Sequence, residues 1–272
     1  MVQRNNRPTV ADLRAMKARG QKISMLYVTT LEEAAAAAAA GVHMLSIESR
    51  YFSTEMRAAA GDCFVQVGLV YGDESIVTAE DYLRAAFRFT ALGGDCFYCA
   101  ASLDIQKTLC DNAVPVVAHV GLIPSQNTWT GGWKAVGKTA SSALALWRHV
   151  KKLEAIGCFG AELEVVPDRV AELITRNTPI LMLGMGAGPH ADAQYLFSED
   201  VLGHTAGHRP RHAKAYRNFA AEFARLQQER IAAFREFVAD VETGAYPEPR
   251  HVVPMDGDEF DRFLVAIKES DK

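Results

Sequence analysis

Two glutamates, Glu162 and Glu164, stand two residues apart in the otherwise apolar run FGAELEVV (159 to 166). In a strand that spacing sends both side chains to one face, where two buried carboxylates need partners or a raised pKa. A second apolar run, PVVAHVG (115 to 121), delivers His119 into a long loop rich in Gly, Ser, Asn and Lys. A neutral imidazole there can hydrogen-bond a substrate oxygen or hold the loop. Lys134 and Lys138 of that loop either draw an anionic carboxylate toward the site or stand as solvated charges. Farther on, Gly184, Gly186 and Gly188 form a glycine-rich turn before Pro189, His190 and Asp192, where backbone can approach a ligand closely.

These groups need a scaffold that gathers strand ends. Apolar runs rich in β-branched residues recur at 22 to 28, 42 to 49, 63 to 70, 95 to 100, 115 to 121, 159 to 166, 179 to 186 and, less regularly, 200 to 206. Helical patterns separate them, among them LEEAAAAAAAG, AEDYLRAAFRFTALGG and ASSALALWRHVKKLEAIG. Eight strands alternating with helices predict parallel pairing and a closed (β/α)8 TIM barrel, with active groups at the C-terminal strand ends. VADLRAMKARGQ, ended by Gly20, predicts an N-terminal cap helix, and 214 to 241 predicts a long amphipathic C-terminal helix. The expected organisation is one barrel domain over residues 1 to 272, with its core at about 22 to 210 and a helical segment at 211 to 272. Residues 256 to 272 read as a short surface helix.

The chain has 272 residues, 49% hydrophobic and 23% charged, with a net charge of -4. That balance suits a soluble globular protein and offers no basic field for nucleic acid, so a small-molecule substrate is expected. No apolar run is long enough to span a bilayer and no secretory signal is visible, which points to the cytoplasm. Cys96 and Cys99 form a CxxC whose strand setting sends the thiols to opposite faces, against a redox or zinc role.

The stretch 114 to 138 resembles the ketopantoate (3-methyl-2-oxobutanoate) hydroxymethyltransferases, whose corresponding segment reads His, Gly-Leu-x-Pro, then Gly-Gly-aromatic-Lys-x-x-Gly-basic. Here those are His119, Gly121, Leu122, Pro124, Gly131, Gly132, Trp133, Lys134, Gly137 and Lys138. The resemblance extends to Leu163, Glu164, Val166 and Pro167, to the glycine turn and to Tyr246-Pro247. It belongs with the broader phosphoenolpyruvate mutase and isocitrate lyase barrels. It implies Glu164 as general base, His119 and Ser49 as groups binding oxygens, and Tyr98, Gly186 and Lys134 in the substrate pocket. It also implies a homo-oligomer, a small 2-oxo acid substrate, Mg2+ holding that substrate, and methylenetetrahydrofolate as co-substrate where the family reaction is retained.

Several positions depart from the family pattern. Glu48 replaces a strand-end aspartate, while Gly68 and Ala100 stand where the family has its other two metal-binding acids, so Glu48 is the one strand-end acid left for the family's metal, and a rebuilt site would have to draw on Glu48, Glu162, Glu164 and His119. Tyr98 replaces a carboxylate-binding lysine, Glu162 replaces an apolar residue, and Arg211 and His212 alter a Pro-Lys-Phe segment. The expected function is an enzyme making or breaking a C–C bond beside the carbonyl of a small 2-oxo acid. The alternatives are a metal-independent lyase or isomerase of the broader superfamily and a non-catalytic barrel paralogue.

Overall fold

The computed structural model describes residues 7–69, 72–73 and 75–270. Eight parallel strands close into a barrel in sequence order: β1 (Ile23–Tyr27), β2 (Met44–Glu48), β3 (Phe64–Leu69), β4 (Cys96–Cys99), β5 (Val116–Gly121), β6 (Gly160–Glu164), β7 (Leu181–Met185) and β8 (Ala193–Phe197). The helices are α1 (Val10–Ala18), α2 (Leu31–Ala39), α3 (Thr54–Ala59), α4 (Ala79–Ala91), α5 (Leu103–Asp111), α6 (Asn127–Thr130), α7 (Ala140–Ile156), α8 (Asp168–Arg176), α9 (Ser198–Leu202), α10 (Phe219–Thr243) and α11 (Gly257–Ser270). Threonines begin several of them: Thr9, Thr30, Thr78 and Thr139 each accept a hydrogen bond from the third helical residue in a reciprocal capping box.

Alternation along each strand sorts the side chains into two cores. Outward-facing Val65, Val67, Phe97, Val116, Ala118, Leu163 and Met182 pack beneath the helices. Inward-facing Ile23, Met25, Met44, Phe64, Cys96, Val117, Leu181, Leu183 and Tyr195 fill the barrel with Leu13 and Met16 of α1. Because Ile23, Met44, Phe64 and Leu181 begin their strands, α1 plugs the N-terminal end, as a cap helix should. Lys17 fastens it: its ammonium donates to Asp192 Oδ2 at 2.6 Å and to the carbonyls of Thr175 and Ile180. Cys96 faces the interior and Cys99 the outer core, and all five cysteines are free thiols.

The eighth strand is not where the composition of 200 to 206 put it. It is Ala193–Phe197, and Val201 and Leu202 of the expected run lie within the short helix α9. Asp192 explains the placement, since its carboxylate is fixed by Lys17 and by the Met182 amide at 2.8 Å and pulls the chain into register directly after the glycine turn.

The chain forms two compact units, Met1–Arg217 and Asn218–Lys272. The first is the barrel. The second holds α10, 25 residues long, and α11, and its apolar side chains Phe234, Val238, Val241, Phe263 and Val265 are exposed. No described helix is long and apolar enough to cross a membrane.

Candidate active site

Strand register assembles a polar cluster inside the barrel. Ser46 pairs with Gln66 across β2 and β3, and His119 pairs with Glu162 across β5 and β6. Gln66 Nε2 donates to Ser46 Oγ at 3.0 Å and to Glu162 Oε1 at 2.8 Å. The Tyr98 hydroxyl lies 2.8 Å from His119 Nδ1, whose other near neighbour is Glu162 Oε2 at 3.6 Å. His119 Nε2 is 3.1 Å from Glu164 Oε2, off the hydrogen-bonding direction, and has no hydrogen-bond partner among the described residues. One imidazole, 3% exposed, is thus flanked by two carboxylates and held by a phenol.

Burial dominates the electrostatics. Loss of solvation raises Glu162 to about 7; the neighbouring His119 and the Gln66 hydrogen bond act the other way, and Glu164 adds to the rise. Burial also pushes Tyr98 and Tyr195 well above the usual phenol range, reinforced in each by the negative charge of Glu162. Both phenols therefore remain neutral hydrogen-bonding groups.

Glu164 is delivered to the surface of a cavity by strained backbone. Gly121 at φ +95° lets β5 pass so close that a Cβ there would lie 2.2 Å from the Glu164 carbonyl oxygen, which accepts from the Leu122 amide at 2.9 Å. The next residue, Val165, is β-branched and adopts φ +48°. A β-branched side chain is rarely found there, and the cost is of order 1–3 kcal/mol. Hydrogen bonds from its amide to Met185 O and to its carbonyl from Val136 N hold it in place.

The cavity, about 1110 Å³, is lined at its wall by Glu164 to Asp168, Met185 and Gly186, and at its rim by Trp133, Lys134, Lys138, His208, Arg211 and His212. His212 packs over Gly186, where a Cβ would lie 2.7 Å from its Nδ1. Of the residues expected at a site, Glu164, Lys134 and Gly186 line this cavity, while His119 and Tyr98 sit behind Glu164. Ser49 instead lines a separate cavity of about 450 Å³ with Arg50, Asp73, Arg84 and Arg88. Val70 and Tyr71, which enter the family comparison of the third strand, lie outside the described residues.

The residues that would hold the family's metal do not fit a divalent ion. Glu48 accepts from the Tyr27 hydroxyl at 3.0 Å and pairs with Arg50 Nε at 2.6 Å, so both its oxygens are engaged. Its register neighbour is Gly68, which is paired in turn with Tyr98. Mg2+ prefers several hard oxygen ligands in octahedral geometry, and these strand ends supply one carboxylate already neutralised by a guanidinium. Among the described residues no group of three or more His, Cys, Asp or Glu side chains is arranged for a metal.

Gln66, Ser46 and Tyr195 belong to the cluster, and Val165 to the cavity wall, without having been expected there. Gln66 carried a signal, a polar residue at an inward position of an apolar strand. Tyr195 carried none once the eighth strand was misplaced, and nothing in Glu164-Val165-Val166 announces a left-handed valine.

The family model described as ketopantoate hydroxymethyltransferase matches residues 57–249. A 3-methyl-2-oxobutanoate hydroxymethyltransferase of Lysinibacillus sphaericus is 30% identical, spanning 96% of this chain and 99% of its own. The enzyme of that name from Desulfotalea psychrophila is 30% identical over 90% of this chain and 94% of its own. Among solved structures, a Burkholderia cenocepacia protein assigned as a phosphonomutase aligns with a TM-score of 0.52 at 16% identity, covering 69% of this chain and 92% of that one. That last likeness concerns the barrel fold.

Proposed function

Because this chain belongs to the ketopantoate hydroxymethyltransferase family, we propose that it is an enzyme making or breaking a C–C bond beside the carbonyl of a small 2-oxo acid. Hydroxymethyl transfer to 3-methyl-2-oxobutanoate is the form of that reaction for which its relatives are named. The observation that carries the reading is Glu164, a carboxylate on the cavity wall with the unpartnered Nε2 of His119 3.1 Å away.

In this reading Glu164 is the general base that removes the proton next to the carbonyl, and His119 Nε2 donates to the carbonyl oxygen as charge develops there. Tyr98 fixes the imidazole through Nδ1. Lys134, Lys138 and Arg211 at the rim draw the substrate carboxylate, and the Gly186 backbone forms part of the wall. A cavity of about 1110 Å³ exceeds what a small 2-oxo acid fills, which leaves room for a one-carbon donor such as methylenetetrahydrofolate. No step is routed through a metal, since Glu48, Gly68 and Ala100 do not make its site. Ser49, in a separate cavity, has no part in the chemistry as drawn.

A second reading keeps enolate chemistry and drops hydroxymethyl transfer: a metal-independent lyase or isomerase. The neutral Tyr98 where the family has a lysine favours it. The exposed apolar residues of α10 and α11 support a homo-oligomer, and five free thiols suit the cytoplasm. The test is 13C NMR of labelled 3-methyl-2-oxobutanoate with methylenetetrahydrofolate. Appearance of a hydroxymethylated product with the wild type and its loss in Glu164→Gln supports transfer; a different product supports the second reading, and an unchanged substrate signal refutes both.

A further inference from the structure

Glu162 has no counterpart in the family pattern, yet it is buried within the cluster. The residue is 5% exposed, its Oε1 is held by Gln66, and its Oε2 faces His119 Nδ1 at 3.6 Å. On the far side of the same ring the buried Nε2 makes no hydrogen bond among the described residues and lies 3.1 Å from Glu164, whose carboxylate lines the cavity. With the Tyr98 hydroxyl donating to Nδ1 the ring carries its proton on Nε2, and a buried donor without an acceptor is costly, so this nitrogen is a place prepared for a ligand oxygen.

We infer that Glu162 is a positioning residue acting through His119: the two hold one exchangeable proton, which moves onto the imidazole as an enolate forms. The site then answers the new negative charge with an imidazolium, in the place where the family uses a metal. This rests on the enolate chemistry proposed above. As Glu164 takes the C3 proton, the C3–H electron pair becomes the C2–C3 double bond and the carbonyl π pair moves to oxygen. The Glu162 carboxyl proton passes to His119 Nδ1, leaving a carboxylate, and the Nε2–H donates to the enolate oxygen. Proton count and charge are both conserved.

The surroundings suit that transfer. The 3.6 Å gap must close by about 0.5 Å to reach hydrogen-bonding length. The Tyr98 hydroxyl, 2.8 Å from Nδ1, can turn from donor to acceptor when that nitrogen gains a proton. The groups facing Glu162 are Ser46 on β2, Gln66 on β3, Cys96 and Tyr98 on β4, His119 on β5, Glu164 on its own strand, apolar Leu183 on β7 and Tyr195 on β8. Of the neighbours on other strands, His119 alone is a base able to take the proton. Burial raises Glu162 to about 7, so the carboxyl retains a proton to give near neutrality.

Deuterium incorporation at C3 of 3-methyl-2-oxobutanoate, followed by proton NMR with EDTA present, tests this across pH 6 to 8. The wild type should slow as pH rises through about 7. Glu162→Gln should be slower by about 10²-fold with that limb abolished, and Glu162→Asp should restore the limb in part. Wild-type rate and profile in Glu162→Gln would overturn the proposal. If the wild type exchanges nothing, the enolate reading has failed, and infrared titration of the protein alone decides. A carboxylic acid C=O band that vanishes as pH passes about 7 and is absent from Glu162→Gln upholds the stored proton; its absence from the wild type refutes it.

Discussion

Replacing Glu162 by Gln removes a titrating group while keeping its shape, and the stability difference between the two proteins should depend on pH. The ordinary value for this carboxyl is 4.5, and burial raises it to about 7 in the folded chain. Between those values the folded form binds more protons than the unfolded one, so wild-type stability falls as pH rises and settles only above the folded value. At about 1.4 kcal/mol per unit, this shift corresponds to about 3 kcal/mol. The remaining ionisable groups are common to both proteins and largely cancel in the difference. Urea denaturation at about pH 5 and at about pH 8.5 measures it, one condition where the group is protonated and one where it is ionised. The two proteins should differ by about 1 kcal/mol or less in acid, the amide standing for the neutral acid, and Glu162→Gln should gain about 3 kcal/mol on the wild type in base. A difference that stays constant with pH would show that Glu162 titrates at an ordinary value and is not the buried acid of the cluster.

Other changes should separate scaffold from site. Gly121→Ala drives a methyl into the Glu164 carbonyl at φ +95°, so denaturation should show a loss of about 3 kcal/mol, and a neutral result would contradict the close approach. Asp192→Ala strands the Lys17 ammonium between two carbonyls and releases the Met182 amide; a loss of about 3–5 kcal/mol is expected in the same assay. Lys134→Ala combined with Arg211→Ala should raise KM by about tenfold and leave kcat nearly unchanged, since attraction of a carboxylate is uniform binding. Light scattering should find an assembly larger than a monomer, which Phe234→Glu with Val238→Glu weakens.

The barrel was legible because buried parallel strands must be apolar on both faces, and seven such runs stand clear of the helices between them. The eighth was not, because Ala193–Phe197 is short and begins straight after a turn of Gly, Pro, His and Asp. Its register depends on Lys17, 175 residues away, gripping Asp192, and local composition cannot report such a partner. Glu164 and His119 were legible as polar residues in apolar strands, and alternation put Glu162 beside them. The pairing of His119 with both carboxylates depends on strand stagger, which no single strand encodes. Ser49 shows the limit in the other direction: a matching residue at a matching strand end lines a different cavity, with Glu48 engaged by Tyr27 and Arg50 beside it.

Exchange of the C3 proton of 3-methyl-2-oxobutanoate for deuterium isolates the step proposed for Glu164, removal of that proton, before any one-carbon donor is needed. With chelator present and no donor added, the wild type should incorporate deuterium, and Glu164→Gln should be slower by about 10²-fold or more at comparable substrate binding. Exchange that persists undiminished in Glu164→Gln, or that requires added Mg2+, would contradict a metal-free enolising site built on Glu164 and His119.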